Sequence, residues 1–140
     1  MMSEQFYHGL IMERARHPRH AGRPERFDAQ GEGDNPMCGD RIRVFFQGAG
    51  RVWHEAEGCA ILLASADLMA DAVAGMTAGQ IRQCRAAFES VVKTGVADPS
   101  VGNLNALATV SEYRSRLRCA TLPWSALIKA VDTVSAGEPA

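Results

Sequence analysis

The first part of the chain carries one helical pattern followed by three strand patterns. Apolar residues at helical spacing predict a helix over residues 3–16, with Ser3 as its N-cap. Pro18 disfavours helix at the residue before it and ends this pattern. The predicted strands are a weak edge strand over residues 26–34 and a hairpin formed by residues 41–47 and 51–57, joined by a turn at 48–50.

After Gly58 the apolar spacing changes to that of helices. The predicted helices cover residues 59–74, 77–94, a short stretch around 104–110, and 121–134, with Pro123 in the first turn of the last one. Residues 111–118 are polar and rich in arginine, which predicts a connector, and residues 135–140 predict a frayed tail. Strands followed by helices predict an α+β fold, with a small three-stranded antiparallel sheet and helices packed on one face.

Length and charge narrow the classes of function. The chain has 140 residues, which predicts a single domain over 1–140. Fifteen Lys and Arg against sixteen Asp and Glu give a net charge of −1, which disfavours nucleic acid as a partner. The longest apolar stretch is far too short to span a membrane, and the first residues lack the apolar region of a signal peptide. We therefore expect a cytoplasmic protein with neither membrane nor nucleic-acid partners.

Cysteines in a reducing compartment are usually buried and inert, metal-binding, or reactive. Cys84 lies inside a predicted helix, where a cysteine acts as a small hydrophobic residue, so we exclude it from the candidate site. The other three cysteines, Cys38, Cys59 and Cys119, lie at predicted element boundaries rather than within apolar stripes. Such positions suit a metal or reactive-thiol site, although scattered structural cysteines explain the same positions.

The three boundary cysteines have different surroundings. In an extended chain Cys38 and Asp40 project to the same side, and a thiolate beside a carboxylate suits Zn²⁺ or iron. Cys59 and Cys119 each precede a predicted helix, whose N-terminal partial charge lowers the pKa of a thiol. These features alone leave the choice between a metal site and separate cysteines open.

Three sequence blocks carry a family resemblance. They read Asn35-Pro36-x-Cys38-Gly39-Asp40, then Gly58-Cys59-Ala60-Ile61 with Ala64-Ser65, then Arg118-Cys119-Ala120-Thr121-Leu122-x-Trp124-x-Ala126-Leu127, preceded by His17-Pro18-Arg19-x-x-Gly22. Together they resemble the IscU/SufU/NifU-N-terminal family of iron–sulfur cluster assembly proteins, over residues 5–130. The SufU branch is the most similar, because Arg118 stands where IscU-like members carry a histidine and residues 76–100 fit that branch's insertion.

The resemblance implies a site made of Cys38, Asp40, Cys59 and Cys119. In the family this set binds Zn²⁺ or holds iron in a transient [2Fe–2S] cluster. A permanent iron–sulfur protein uses four thiolates, so the single carboxylate suits a site that must release its cargo. We therefore expect that replacing Asp40 makes the bound metal or cluster harder to release.

Three hypotheses of function follow from the resemblance. The first is a scaffold that takes persulfide sulfur from a SufS-like cysteine desulfurase and passes [2Fe–2S] clusters to apo acceptor proteins. The second is a zinc-dependent sulfurtransferase that carries no cluster, and the third is an interaction module with structural zinc. The chain is thus either a carrier or an enzyme. The candidate sulfur-accepting thiols are Cys59 and Cys119, and we favour Cys59.

Several other residues have two interpretations. His8, His17, His20 and His54 are candidate ligands, but solvent-facing or hydrogen-bonded histidines are the simpler interpretation. We interpret Asp67 and Asp71 as part of a solvated helix face, and Trp124 as a family position or a core anchor. Arg114, Arg116 and Arg118 form either a solvated edge or a positive strip that stabilises thiolates or meets an acidic partner, with Arg118 favoured because it precedes Cys119.

Overall fold

A computed structural model describes residues 4–137, and its elements follow the predicted order of one helix, three strands and further helices. They are helix α1 (Glu4–Arg16), strands β1 (Ala29–Asn35), β2 (Asp40–Gln47) and β3 (Arg51–Glu57), helices α2 (Ala60–Val73) and α3 (Ala78–Thr94), a 3₁₀ segment (Pro99–Glu112) and helix α4 (Arg114–Gly137). The predicted N-cap Ser3 lies outside the described residues.

The three strands form one antiparallel sheet in the order β1-β2-β3. Ile42 and Val44 on β2 are buried in the core that also contains residues of α2 and α4. Phe45 points to the opposite face, where its ring packs against Phe27 at a centroid distance of 5.0 Å. The alternation that predicted the strands therefore reflects the two different faces of the sheet. The predicted α+β class is confirmed.

Helices α2 and α3 begin and end close to the predicted residues, and the caps of α3 are encoded locally. Thr77 and Gln80 form a capping box at the start of α3. Gly95 ends the helix in the left-handed conformation, with a φ of 75°. Among the described residues, no helix combines the length and the apolar character needed to span a membrane.

The start of α4 differs from the prediction. Residues 114–118 are helical rather than a connector, and Pro123 lies well inside the helix rather than in its first turn. Pro123 has no N–H to donate to the carbonyl of Cys119, four residues earlier, so this helical hydrogen bond is missing. The proline that predicts a helix start at this position is therefore an internal proline of a longer helix. The helix also continues to Gly137, into the predicted frayed tail, of which residues 138–140 lie outside the described part.

Helix α4 lies directly on strand β1, at a distance that only glycine permits. A Cβ atom at Gly31 would overlap the backbone carbonyl oxygen of Ala126 on α4. Nearby, the Lys129 ammonium donates a hydrogen bond to the backbone carbonyl of Glu32 at 2.9 Å. Deeper in the core the Trp124 ring stacks on Phe88, which confirms its interpretation as a core anchor.

This contact can be tested by adding a methyl group. We expect Gly31→Ala to lower the free energy of unfolding by about 1–3 kcal/mol, because the new methyl group must displace backbone of α4. Gly9→Ala is the control, since its Cβ meets nothing within 4 Å and an alanine inside α1 stabilises the helix by roughly 0.5–1 kcal/mol. Urea unfolding measures both changes, and equal stability of the two variants would contradict the close approach.

Candidate metal and thiol site

Asp40, the first residue of β2, has a completely buried side chain. Its Oδ1 atom accepts a hydrogen bond from the backbone N–H of Cys59 at 3.3 Å. Its Oδ2 atom has no hydrogen-bond partner among the described residues. Because burying a carboxylate oxygen without a partner is costly, this atom is in the condition expected of a metal ligand.

Cys38 lies in the loop between β1 and β2, and its thiol-bearing side chain is exposed. The strand ends Asn35 and Asp40 are paired, so residues 36–39 close a hairpin. The backbone N–H of Cys38 donates to the carbonyl of Asn35 at 3.1 Å, and Gly39 adopts a φ of 70°. The predicted turn thus holds an accessible thiol beside a buried carboxylate.

Cys119 lies within α4, so the prediction that it precedes a helix N-terminus is wrong. The residue is completely buried. Burial raises the pKa of its thiol well above the ordinary value, and interactions with Asp40 and Cys59 raise that pKa further. The sequence predicts a lowered pKa for this thiol. The shift has the opposite direction because the side chain is inside the protein rather than at a solvated helix end.

Three of the four predicted site residues come together although they are far apart in sequence. Ligand atoms of Cys38, Asp40 and Cys119 all lie within 4.8 Å of one another. Cys59 is not part of this group: it is the N-cap of α2, it makes no side-chain capping bond, and its thiol interacts with that of Cys119. Gly58, with a φ of 155°, leaves room for the carboxylate, since a Cβ there would overlap Asp40 Oδ1.

One arginine of the predicted strip faces this cluster. The Arg116 guanidinium interacts with the Cys59 and Cys119 thiols, and the negative charge of Cys59 is the main reason that the pKa of Arg116 is raised. The sequence favours Arg118 because it precedes Cys119, but the interaction with the thiols is found at Arg116, and both side chains are exposed. In a helix the residue three positions before Cys119 shares its face, so knowing that this segment is helical would have identified Arg116.

Ser65 joins the two helices that carry Cys59 and Cys119. Its buried hydroxyl donates a hydrogen bond to the backbone carbonyl of Ala120 at 2.6 Å. The bond connects α2 to α4 one residue after Cys119, and therefore constrains the distance between the two thiols. In the sequence, Ser65 stands out only as part of a family motif, and its structural role could not be predicted.

The fourth cysteine and the histidines do not join the cluster. Cys84 is buried in the core on α3, and burial raises the pKa of its thiol, which confirms its interpretation as a packing residue. Among the described residues, no histidine belongs to a group of potential metal ligands. His54 is buried with Nε2 3.0 Å from Asp67 Oδ1, and His20 Nε2 lies 2.6 Å from Asp71 Oδ1.

Asp67 is completely buried, so its interpretation as part of a solvated face is wrong. The carboxylate accepts hydrogen bonds from Arg14, from the backbone N–H groups of residues 19–20, and contacts His54. Burial alone would raise the pKa of Asp67, but these bonds lower it far below the ordinary value. Asp71 stays partly exposed and pairs with Arg14. This network is separate from the thiol cluster and connects α1, the following segment, α2 and β3.

Thiol reactivity should follow the burial of the four cysteines. At pH 7.5 we expect iodoacetamide to alkylate Cys38 first and Cys59 next, with Cys84 and Cys119 slower than Cys38 by on the order of tenfold or more. The reason is that the last two are buried and have raised thiol pKa values. Time-resolved peptide mass spectrometry of metal-free protein measures the order. Alkylation of Cys119 as fast as Cys38 would contradict its buried position.

Comparison with known proteins identifies close sequence relatives over nearly the whole chain. The chain is 33% identical over 134 residues to the zinc-dependent sulfurtransferase SufU of Bacillus subtilis (strain 168), covering 91% of this chain and 90% of the relative. It is 28% identical over 131 residues to the iron–sulfur cluster assembly scaffold protein IscU of Streptococcus pyogenes serotype M1, covering 89% of this chain and 82% of the relative.

Solved structures and a family profile agree with these relatives. A crystal structure from Fervidobacterium islandicum AW-1, assigned as an iron–sulfur cluster assembly scaffold protein for the SUF system, matches with a TM-score of 0.81 at 27% identity, covering 93% of this chain and 99% of that chain. Residues 6–133 match the profile of the NifU-like N terminal domain. The chain therefore belongs to the NifU-like N-terminal domain family, which confirms the resemblance carried by its cysteine motifs.

Proposed function

We propose that this protein takes persulfide sulfur from a cysteine desulfurase at a site made of Cys38, Asp40, Cys59 and Cys119, and supports the building or transfer of [2Fe–2S] clusters. The alternative that the SufU relative favours is a zinc-dependent sulfurtransferase without a cluster of its own. Both use the same residues and the same sulfur donor. They differ in whether iron and sulfide accumulate on the protein.

The observation that carries the proposal is the meeting of the Cys38 and Cys119 thiols with a buried Asp40 oxygen that has no hydrogen-bond partner among the described residues. Three sulfur ligands and one oxygen ligand suit tetrahedral Zn²⁺, and thiolates with one weaker ligand suit a cluster that is assembled and released. The donor set therefore fits either group. A bound Zn²⁺ would supply positive charge that keeps the coordinating thiols deprotonated, which is their nucleophilic form.

Sulfur transfer to this site is a thiol–persulfide exchange. A site thiolate attacks the terminal sulfur of the donor's persulfide, the donor's S–S bond breaks, a new S–S bond forms on the site cysteine, and the donor leaves as a thiolate. No external oxidant or reductant is consumed. Access favours Cys38, which is exposed, and Cys59, which is half-buried, over the buried Cys119. Cys38 thus joins Cys59 as a candidate acceptor, while Cys119 serves better as a ligand.

The decisive measurement is the metal and acid-labile sulfide content of protein purified without oxygen. An oxygen-labile brown chromophore containing iron and sulfide would support the scaffold. One equivalent of Zn²⁺, together with faster desulfurase turnover when the protein is added, would support the sulfurtransferase. Protein with neither metal nor effect on desulfurase turnover would overturn both.

Matched cysteine variants separate a working site from structural zinc. We expect Cys59→Ala to abolish desulfurase stimulation or cluster loading, because it removes a ligand and a candidate acceptor. Cys84→Ala is the control, since that buried cysteine belongs to the core rather than to the cluster. If Cys59→Ala retains both activities as well as Cys84→Ala does, the structural-zinc module becomes the better explanation.

Asp40 is the proposed release ligand. We expect Asp40→Cys to slow the transfer of iron–sulfur cluster to an apo acceptor by about tenfold or more, the effect of ~1.4 kcal/mol of added binding energy. A fourth thiolate reproduces the ligand set of permanent iron–sulfur proteins. Circular dichroism of the acceptor's cluster follows the transfer, with the exposed Asp34→Cys as control. Unchanged or faster transfer from Asp40→Cys would contradict this role.

The proposed partners are a SufS-like cysteine desulfurase as donor and apo iron–sulfur proteins as acceptors. The proposed place of action is the cytoplasm, where reducing conditions keep thiols free.

A further inference from the structure

Because residues 114–118 are helical, the three arginines of the strip do not all project to the same side. In an extended connector all three arginines would project to one side. In the helix, Arg114 and Arg118 are four residues apart and share one face, whereas Arg116 is turned toward Cys59 and Cys119. The thiols therefore explain the position of Arg116. They do not explain why Arg114 and Arg118 share the other face.

This face is unfavourable for the helix that carries it. Arg114 places a positive charge at the helix end whose own partial charge is positive, and the first turn contains no acidic residue. Arg114 and Arg118 also repel each other as like charges at i,i+4 spacing. Within residues 4–137, neither arginine has a carboxylate at ion-pair distance. Residues that violate local helix rules without a compensating contact are expected at functional surfaces.

The exposed residues near this face indicate the kind of partner that binds it. Tyr113 precedes Arg114 and is 59% exposed, and Met37 beside Cys38 is 92% exposed. Tyrosine and arginine are enriched at protein interfaces, where the ring supplies an apolar anchor. The face also adjoins the helix turn that carries Cys119. A protein that brings a persulfide to these thiols would approach the molecule close to this turn.

We propose that Tyr113, Arg114 and Arg118 form the docking surface for the sulfur-donating desulfurase, which meets them with a carboxylate-rich rim around its own active site. This inference rests on the proposed function and names the surface used by its donor. The occupant is acidic because two uncompensated cations gain most from carboxylates, which steer the encounter through long-range attraction.

The test is charge reversal of the docking surface. We expect Arg114→Glu/Arg118→Glu to bind the desulfurase of the same organism at least tenfold more weakly in 50 mM salt, mainly through slower association. The difference should shrink at 500 mM salt, where charges are screened. Zinc content and iodoacetamide reactivity of Cys38 should match the unmodified protein. The melting temperature should be equal or higher, because a carboxylate near the helix start is favourable.

The matched control is Arg26→Glu/Lys93→Glu, which makes the same change in net charge. Both residues are exposed and without an ion pair within the described part of the chain, and Arg26 precedes the end of β1 that is remote from Asp40. Equal weakening by both double variants would show a general charge effect and overturn the docking surface. Full affinity of Arg114→Glu/Arg118→Glu would overturn it as well.

A crosslink tests contact directly and separates this inference from the proposed function. We expect a benzoylphenylalanine at position 113, but not at position 26, to crosslink to the desulfurase under light. If the unmodified protein binds and stimulates the desulfurase but position 113 does not crosslink, the docking surface is wrong and the function stands. If the unmodified protein neither binds nor stimulates it, the function fails and the docking surface fails with it.

Discussion

The close packing of α4 against the sheet is the constraint on which the rest of the structure depends. Cys119 belongs to α4, whereas Asp40 and Cys38 belong to the hairpin between β1 and β2. The absence of a side chain at Gly31 lets the α4 backbone lie close to β1. The Ser65 hydroxyl bonds the α4 backbone to α2, whose N-cap is Cys59.

The side chains of the site differ in how far they are exposed to solvent. The Asp40 carboxylate and the Cys119 thiol are buried, Cys59 is half-buried, and Cys38 is exposed. Burial raises the pKa of a thiol, so the interior members of the cluster become better ligands only when a cation or Arg116 compensates their charge. The exposed member remains available to a partner. The proposed exchange of sulfur would use this gradient of burial from the interior to the surface.

Local signals in the sequence predicted the elements whose boundaries are encoded locally. The α3 caps, Thr77 and Gly95, and the hairpin turn at residues 48–50 define their ends through short-range hydrogen bonds and backbone conformation. The prediction starts α4 too late because Pro123 is typical of a first helical turn and residues 114–118 are mostly polar. Packing of its apolar face outweighs those preferences, a tertiary effect that no local pattern reports. Asp67 was misassigned for a similar reason, since its partners come from residues 14, 19–20 and 54.

The sequence by itself determined the order of strands and helices, the α+β class and the family. Those properties follow from short motifs and from the periodicity of apolar residues, which a chain carries without folding. Only the tertiary structure decided which thiol is buried, which arginine interacts with the thiols, and that one Asp40 oxygen has no hydrogen-bond partner in the part of the chain that the structure describes. These properties depend on distances between segments far apart in the chain, and those distances are set by how closely helices and sheet can pack.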